Sequence, residues 1–132
     1  MKRTAVALSA LTIFACQGAP PAVATLRGGT LFPGSSITGS AGGVEWAMRG
    51  ETDDVLLRIG ASTVRLLDAM PDVGLHYAEE APPPPHFVLD LASRLHARWR
   101  GTSLSVGAQV HRLDAPGDYL IDATGSLVRG PR

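Results

Sequence analysis

The side chains able to do chemistry in this 132-residue chain are few and widely spaced. Its single thiol is Cys16 and its four imidazoles are His76, His86, His96 and His111. His76 and His86 bracket Glu79 and Glu80, so those residues could in principle assemble a two-histidine, one-carboxylate metal set. No H-x-H or H-E-x-x-H spacing accompanies them, solvated surface histidines are the plainer reading, and no metal is expected. The sharper cluster is Arg94, His96, Arg98 and Arg100. On a strand, a period of two places all four on one face and Leu95, Ala97 and Trp99 on the other. Guanidinium forks grip phosphates and carboxylates through paired hydrogen bonds, which makes this row a candidate anion-binding face. The alternative is an ordinary solvated face whose charges discourage edge-to-edge pairing.

Nucleophile patterns are missing. Ser35 and Ser36 follow Gly34 but sit in no G-x-S-x-G. The Gly-rich stretch from Gly34 to Gly43 lacks the Lys-Ser/Thr ending of a phosphate loop and reads as a polar surface loop. Asp53 and Asp54 read as turn residues beside a strand. No catalytic residue is expected, and the chain reads as non-enzymatic.

The elements that must position these groups are strands. From Thr30 onward, short apolar runs alternate with Gly, Asp and Pro every few residues, the pattern of an all-β chain. Strands are predicted at Val44–Arg49, Asp54–Ile59, Thr63–Leu67, His86–Leu91, Leu95–Arg100, Ser103–Val106, Gln109–Leu113, Tyr119–Asp122 and Ser126–Arg129. Residues 87–100 carry two periods at once. Their alternation suits a strand, while Phe87, Val88, Leu91, Ala92, Leu95 and Trp99 also fall at helical spacing.

A pseudo-repeat favours the strand. The segment from Leu57 to Asp72 matches that from Leu104 to Asp118, each reading strand, Gly-Ala turn, strand, then an Asp-Ala-Pro corner. Each copy is preceded by a tryptophan and an Arg-Gly pair, Trp46 with Arg49-Gly50 and Trp99 with Arg100-Gly101. Such a unit cannot bury its apolar face alone and uses its twin. The expected fold is therefore all-β: a small antiparallel sandwich or barrel built from two similar β-hairpin or meander units, each contributing a buried Trp to one core. Between the copies, Pro82 to Pro85 predict a polyproline rod of roughly 12 Å, at ~3.1 Å per residue, acting as a stiff connector between the halves. A docking ligand for an aromatic groove is the other reading of that run.

Charge excludes one class of partner. Twelve basic residues balance twelve acidic ones, and no basic run is interleaved with aromatics, so no nucleic acid is expected.

Placement comes from the N-terminus. Lys2 and Arg3 precede an apolar run from Thr4 to Ala15, the n-region and h-region of a signal peptide and too short for a permanent membrane span. Ile13-Phe14-Ala15-Cys16 resembles the lipobox of bacterial lipoproteins, with Phe14 standing where a smaller residue is usual. The resemblance implies cleavage before Cys16 and a diacylglycerol on its sulfur, with a fatty acid such as palmitate on its new amine. A capped thiol also removes the liability of an unpaired Cys in an oxidising compartment. Gln17, rather than Asp, implies delivery to the outer membrane. The competing site is Ala22-Val23-Ala24, where cleavage would release a soluble periplasmic or secreted protein.

The expected organisation is a signal peptide over 1–15, lipidated Cys16 with a flexible tether over 16–29, and one β-rich domain over 30–132. The expected role is an exported envelope protein, held to the membrane by its lipid and binding or scaffolding another envelope protein or anionic lipid. A soluble protein that binds a small ligand or metal through His76 and His86 is the alternative. No cofactor beyond the covalent lipid is expected.

Overall fold

A computed structural model describes residues 27–80 and 86–131. The twelve strands are β1 (Arg27–Leu31), β2 (Ser36–Ala41), β3 (Val44–Gly50), β4 (Val55–Ile59), β5 (Ser62–Leu66), β6 (Leu75–Glu80), β7 (His86–Asp90), β8 (His96–Arg100), β9 (Ser103–Val106), β10 (Gln109–Arg112), β11 (Asp118–Ile121) and β12 (Leu127–Arg129). They form two six-stranded sheets packed face to face, an open sandwich and not a closed barrel. The front sheet runs β1-β6-β7-β8-β9-β10 and the back sheet β12-β11-β5-β4-β3-β2. All pairs are antiparallel except β11 with β5, the one departure from a purely antiparallel sandwich. Residues 87–100 are strands β7 and β8 joined by a turn, and the described residues contain no helix.

The pseudo-repeat is written into this architecture. Its first copy forms β4–β5 in the back sheet and its second forms β9–β10 in the front sheet. Each hairpin closes through a two-residue turn with Ile59 opposite Ser62 or Val106 opposite Gln109. The first turn residue is Gly60 at φ +60° or Gly107 at φ +62°, the left-handed backbone that this turn requires and glycine adopts without strain. The two Asp-Ala-Pro corners also match in role. The one after β5 carries the chain from the back sheet to the front, and the one after β10 carries it from the front to the back. The second corner is fastened by the Tyr119 hydroxyl, which donates to the Ala115 carbonyl at 2.5 Å.

One core results. Period-two alternation sends Leu31, Phe87, Leu89, Trp99, Leu104 and Val106 inward from the front sheet, and Trp46, Met48, Val55, Leu57, Val64 and Ile121 from the back. Trp46 is 3% exposed and Trp99 2%, so both tryptophans are interior as the repeat demands. Phe87 joins them, its ring centroid 5.1 Å from Trp46 and 5.7 Å from Trp99.

Three expectations change. The Gly34 to Gly43 stretch is not simply a loop, because Ser36–Ala41 pair with β3 along their whole length. Strand β1 begins at Arg27, so residues 27–29 of the expected tether belong to the front sheet through β6. The proline run lies outside the described residues, but its flanks, Glu80 and His86, are register partners in neighbouring strands of one sheet. The run therefore does not link one sheet to the other. Strand β6 had no apolar alternation strong enough to mark it beyond Leu75 and Tyr77.

Candidate functional site

The outer face of the front sheet gathers most of the chemistry-bearing side chains. Strand β8 alternates, with Ala97 and Trp99 buried while His96, Arg98 and Arg100 point to the outer face. Arg94 does not join them. It sits in the turn between β7 and β8 at φ +67°, because Arg94 N–H closes a turn onto the Leu91 carbonyl at 2.9 Å. The row is thus three residues on a strand with Arg94 beyond its end.

Each member of the row meets a neighbour across the sheet. Arg98 donates through Nη1 to both Glu80 oxygens, at 3.1 and 2.8 Å. His96 Nδ1 lies 2.7 Å from the Asp90 carboxylate, its register partner on β7. Arg100 Nη2 lies 3.4 Å from His86 Nε2, and His86 Nε2 also contacts the Glu80 carboxylate. Among the described residues, Arg100 has no carboxylate within ion-pair distance, and the buried His86 Nδ1 has no hydrogen-bond partner. The face is therefore a mixed-charge network around Glu80. The Glu80 carboxylate offsets the Arg98 charge, although only Nη1 of that guanidinium is engaged.

The four residues that could have supplied a metal are not brought together. His76 is opposite Asp90 by the β6–β7 register, four residues along β7 from His86, so the two imidazoles are about 13 Å apart. Glu79 and Glu80 project to opposite faces, Glu79 toward Arg27 at 3.5 Å and Glu80 toward Arg98. His76 Nδ1 lies 3.2 Å from the Thr30 hydroxyl. Among the described residues, no group of three His, Cys, Asp or Glu side chains is placed to hold a metal ion.

Other candidates are occupied by the fold. Ser35 Oγ accepts from Phe32 N–H at 2.8 Å and donates to the Phe32 carbonyl at 2.7 Å, fastening the turn before β2. Asp54 accepts from Asp68 N–H at 3.0 Å and from Arg65 at 3.3 Å, the turn role predicted for it. His111 Nε2 donates to the Gly125 carbonyl at 2.7 Å, holding the β11–β12 turn against β10. Cys16 lies outside the described residues.

A cleft of about 270 Å³ opens at one end of the sandwich, where Val44, Ile59 and Ser62 of the back sheet approach Trp99, Gly101 and Thr102 of the front. Its walls are mainly apolar and Asp114 stands on the rim. Trp99 Nε1 is already spent on the Gly101 carbonyl at 2.7 Å, so the indole N–H is not offered to the cleft.

Asp122 is the group whose titration the fold moves most clearly. The Thr124 hydroxyl donates to its carboxylate at 2.6 Å, and the N–H groups of Ser126 and Thr124 add further donors, which holds the carboxyl below its ordinary value. These bonds shape the β11–β12 turn.

Sequence reasoning missed the Glu80–Arg98–His86 network because it lies across strands. Period-two alternation fixes the face of Arg98, but only the lengths of the 81–85 and 91–95 connections bring Glu80 beside it. Compared with protein-family models, curated proteins and solved structures, the chain matches none.

Proposed function

We propose that this chain is an exported, lipid-anchored bacterial envelope protein whose sandwich binds or scaffolds another envelope protein, without catalysing a reaction. The observation that carries the reading is the chain's single cysteine, placed at the end of a signal-peptide-like run in Ile13-Phe14-Ala15-Cys16. Ten residues, 17–26, separate it from the first residue of β1. That length spans at most ~35 Å when extended, enough to hold a small domain beside a bilayer surface. Processing before Cys16 removes Lys2 and Arg3, so twelve basic residues fall to ten against twelve acids, a balance of −2. A weakly acidic domain gains little from an anionic bilayer, and the mixed-charge face around Glu80 favours a protein partner over lipid headgroups.

The soluble alternative retains support from one fact. Cleavage after Ala24 would leave Thr25 as the N-terminus, two residues ahead of Arg27, and would keep β1 whole.

The mass of the mature protein, expressed in a Gram-negative host, separates the two. The lipoprotein reading predicts residues 16–132 plus diacylglyceryl and acyl groups, in the membrane fraction. A Cys16→Ser variant then stays uncleaved, since a hydroxyl cannot take the thioether lipid. Wild-type protein recovered from the soluble fraction with Thr25 first would overturn it.

A further inference from the structure

Among the described residues, the sandwich has four open edges, and three of them are protected. Strand β1 carries Arg27 in an ion pair with Glu79. Strand β10 is bound at Gln109 and His111 by the β11–β12 turn. Strand β12 is three residues long and ends in Arg129. The fourth edge, β2, is Ser36-Ile37-Thr38-Gly39-Ser40-Ala41, with neither a charge nor a proline to discourage pairing.

We propose that β2 pairs antiparallel with β2 of a second copy of this chain, joining two back sheets into one through a two-fold axis at Thr38. The backbone sets this register. Ala41 and Val44 flank the two-residue Gly42-Gly43 turn and form a hydrogen-bonded pair, so the pairs Gly39–Trp46 and Ile37–Met48 bond likewise. The intervening Ser36, Thr38 and Ser40 therefore aim their N–H and C=O groups at the open edge. With Thr38 opposite Thr38 of the second copy, Ser36 falls opposite Ser40, and every outward group of these residues meets its complement. A slip of one residue would set inward-bonded groups against outward ones.

The side chains agree with that register. On the outer face, Ser40 stands beside Glu45 and Ser36 beside Arg49. Across the axis, each row then reads Glu45, Ser40, then Ser36 and Arg49 of the second copy, with opposite charges at its two ends. The serines between are short, and Arg49 would share its guanidinium between Glu45 of the other copy and its own Glu51, whose Oε2 lies 3.4 Å from Arg49 Nε. On the inner face, Ile37 falls opposite Gly39 of the second copy, beside the Trp46 indole that already covers that glycine.

The test uses the full chain carrying Cys16→Ser, so that any introduced thiol is the only one and the result does not depend on lipidation. Thr38→Cys should cross-link to a covalent dimer under mild oxidation, because hydrogen-bonded partners lie ~5.5 Å apart at Cα, within disulfide reach. Ser40→Cys should not, since its two copies would be about 13 Å apart along the strands. Ser36→Cys combined with Ser40→Cys should cross-link again. Thr38→Pro removes only an outward N–H, leaving the β2–β3 ladder intact, and should weaken dimerisation by roughly tenfold or more in sedimentation velocity. Equal cross-linking of Thr38→Cys and Ser40→Cys would overturn the proposal, as would a parent chain that sediments as a monomer at ~100 µM, a concentration at which even weak specific pairs associate.

Discussion

Trp46 and Trp99 each lie on the strand before their copy of the repeat, two residues out of register with one another, and both are buried, yet they are packed by different means. Trp99 lies on β8 in the middle of the front sheet, between Phe87 and Leu104, with its Nε1 donating to the Gly101 carbonyl. Trp46 lies on β3, one strand from the edge, and its ring covers Gly39 of β2, where a Cβ would overlap it. Both tryptophans pack on Phe87, but the peripheral one also needs an empty position beside it at Gly39. A repeat thus encodes the hairpin and the crossover, while the neighbouring strands decide how each copy fills its share of the core.

The largest way to break this comparison is truncation. Trp46→Ala and Trp99→Ala should each cost ~3–5 kcal/mol in denaturant melts, the range for deleting a large buried aromatic. Either is a large part of the ~5–15 kcal/mol that holds a typical domain together. Phe87→Ala should cost about as much and reduce the coupling between the two tryptophans, measured by double-mutant cycles.

Gly39→Ala sharpens the contrast. It should cost about 1–3 kcal/mol by overpacking against Trp46 and perturb that indole's fluorescence, while leaving Trp99 unchanged. A neutral Gly39→Ala would mean that Trp46 is not held as described.

Two smaller effects test the turns around each unit. Arg94 adopts φ +67°, a backbone that costs a side-chain-bearing residue ~1 kcal/mol or more, so Arg94→Gly should raise stability by up to about 1 kcal/mol. The same change should leave the Arg98–Glu80 contact intact, because Arg94 is outside the strand. Asp122 supplies the pH dependence. Its folded-state value lies below the ordinary 3.8, so its contribution is present above that pH and is lost as pH falls through the depressed value. Carboxyl NMR titration should find Asp122 still ionised at pH ~3.8, where an unperturbed Asp is near half protonated, and Thr124→Val should move it upward.

The contrast between legible and illegible parts of the chain follows the same physics. The strands from Val44 onward other than β6, with their Gly-Ala turns, were readable because apolar alternation and positive-φ glycines are local signals. Strands β1, β2 and β6 were not, since Gly28, Gly29, Thr38, Gly39, Glu79 and Glu80 carry little alternation. Their extended state comes from pairing with neighbours. At the candidate site, His96, Arg98 and Arg100 shared a face as alternation required. Arg94 left it because a turn starts at Leu91, and the partnership of Arg98 with Glu80 depended on a register that no single strand contains.

The central claim is that two like units, one in each sheet, close a single core. Trp46→Phe and Trp99→Phe leave one tryptophan each, reporting from the front and the back sheet respectively. In each variant, the fluorescence melt in denaturant should coincide with its far-ultraviolet circular dichroism melt, because neither sheet stays folded without the other. Separate midpoints, with one tryptophan exposed while much of the strand signal persists, would contradict it.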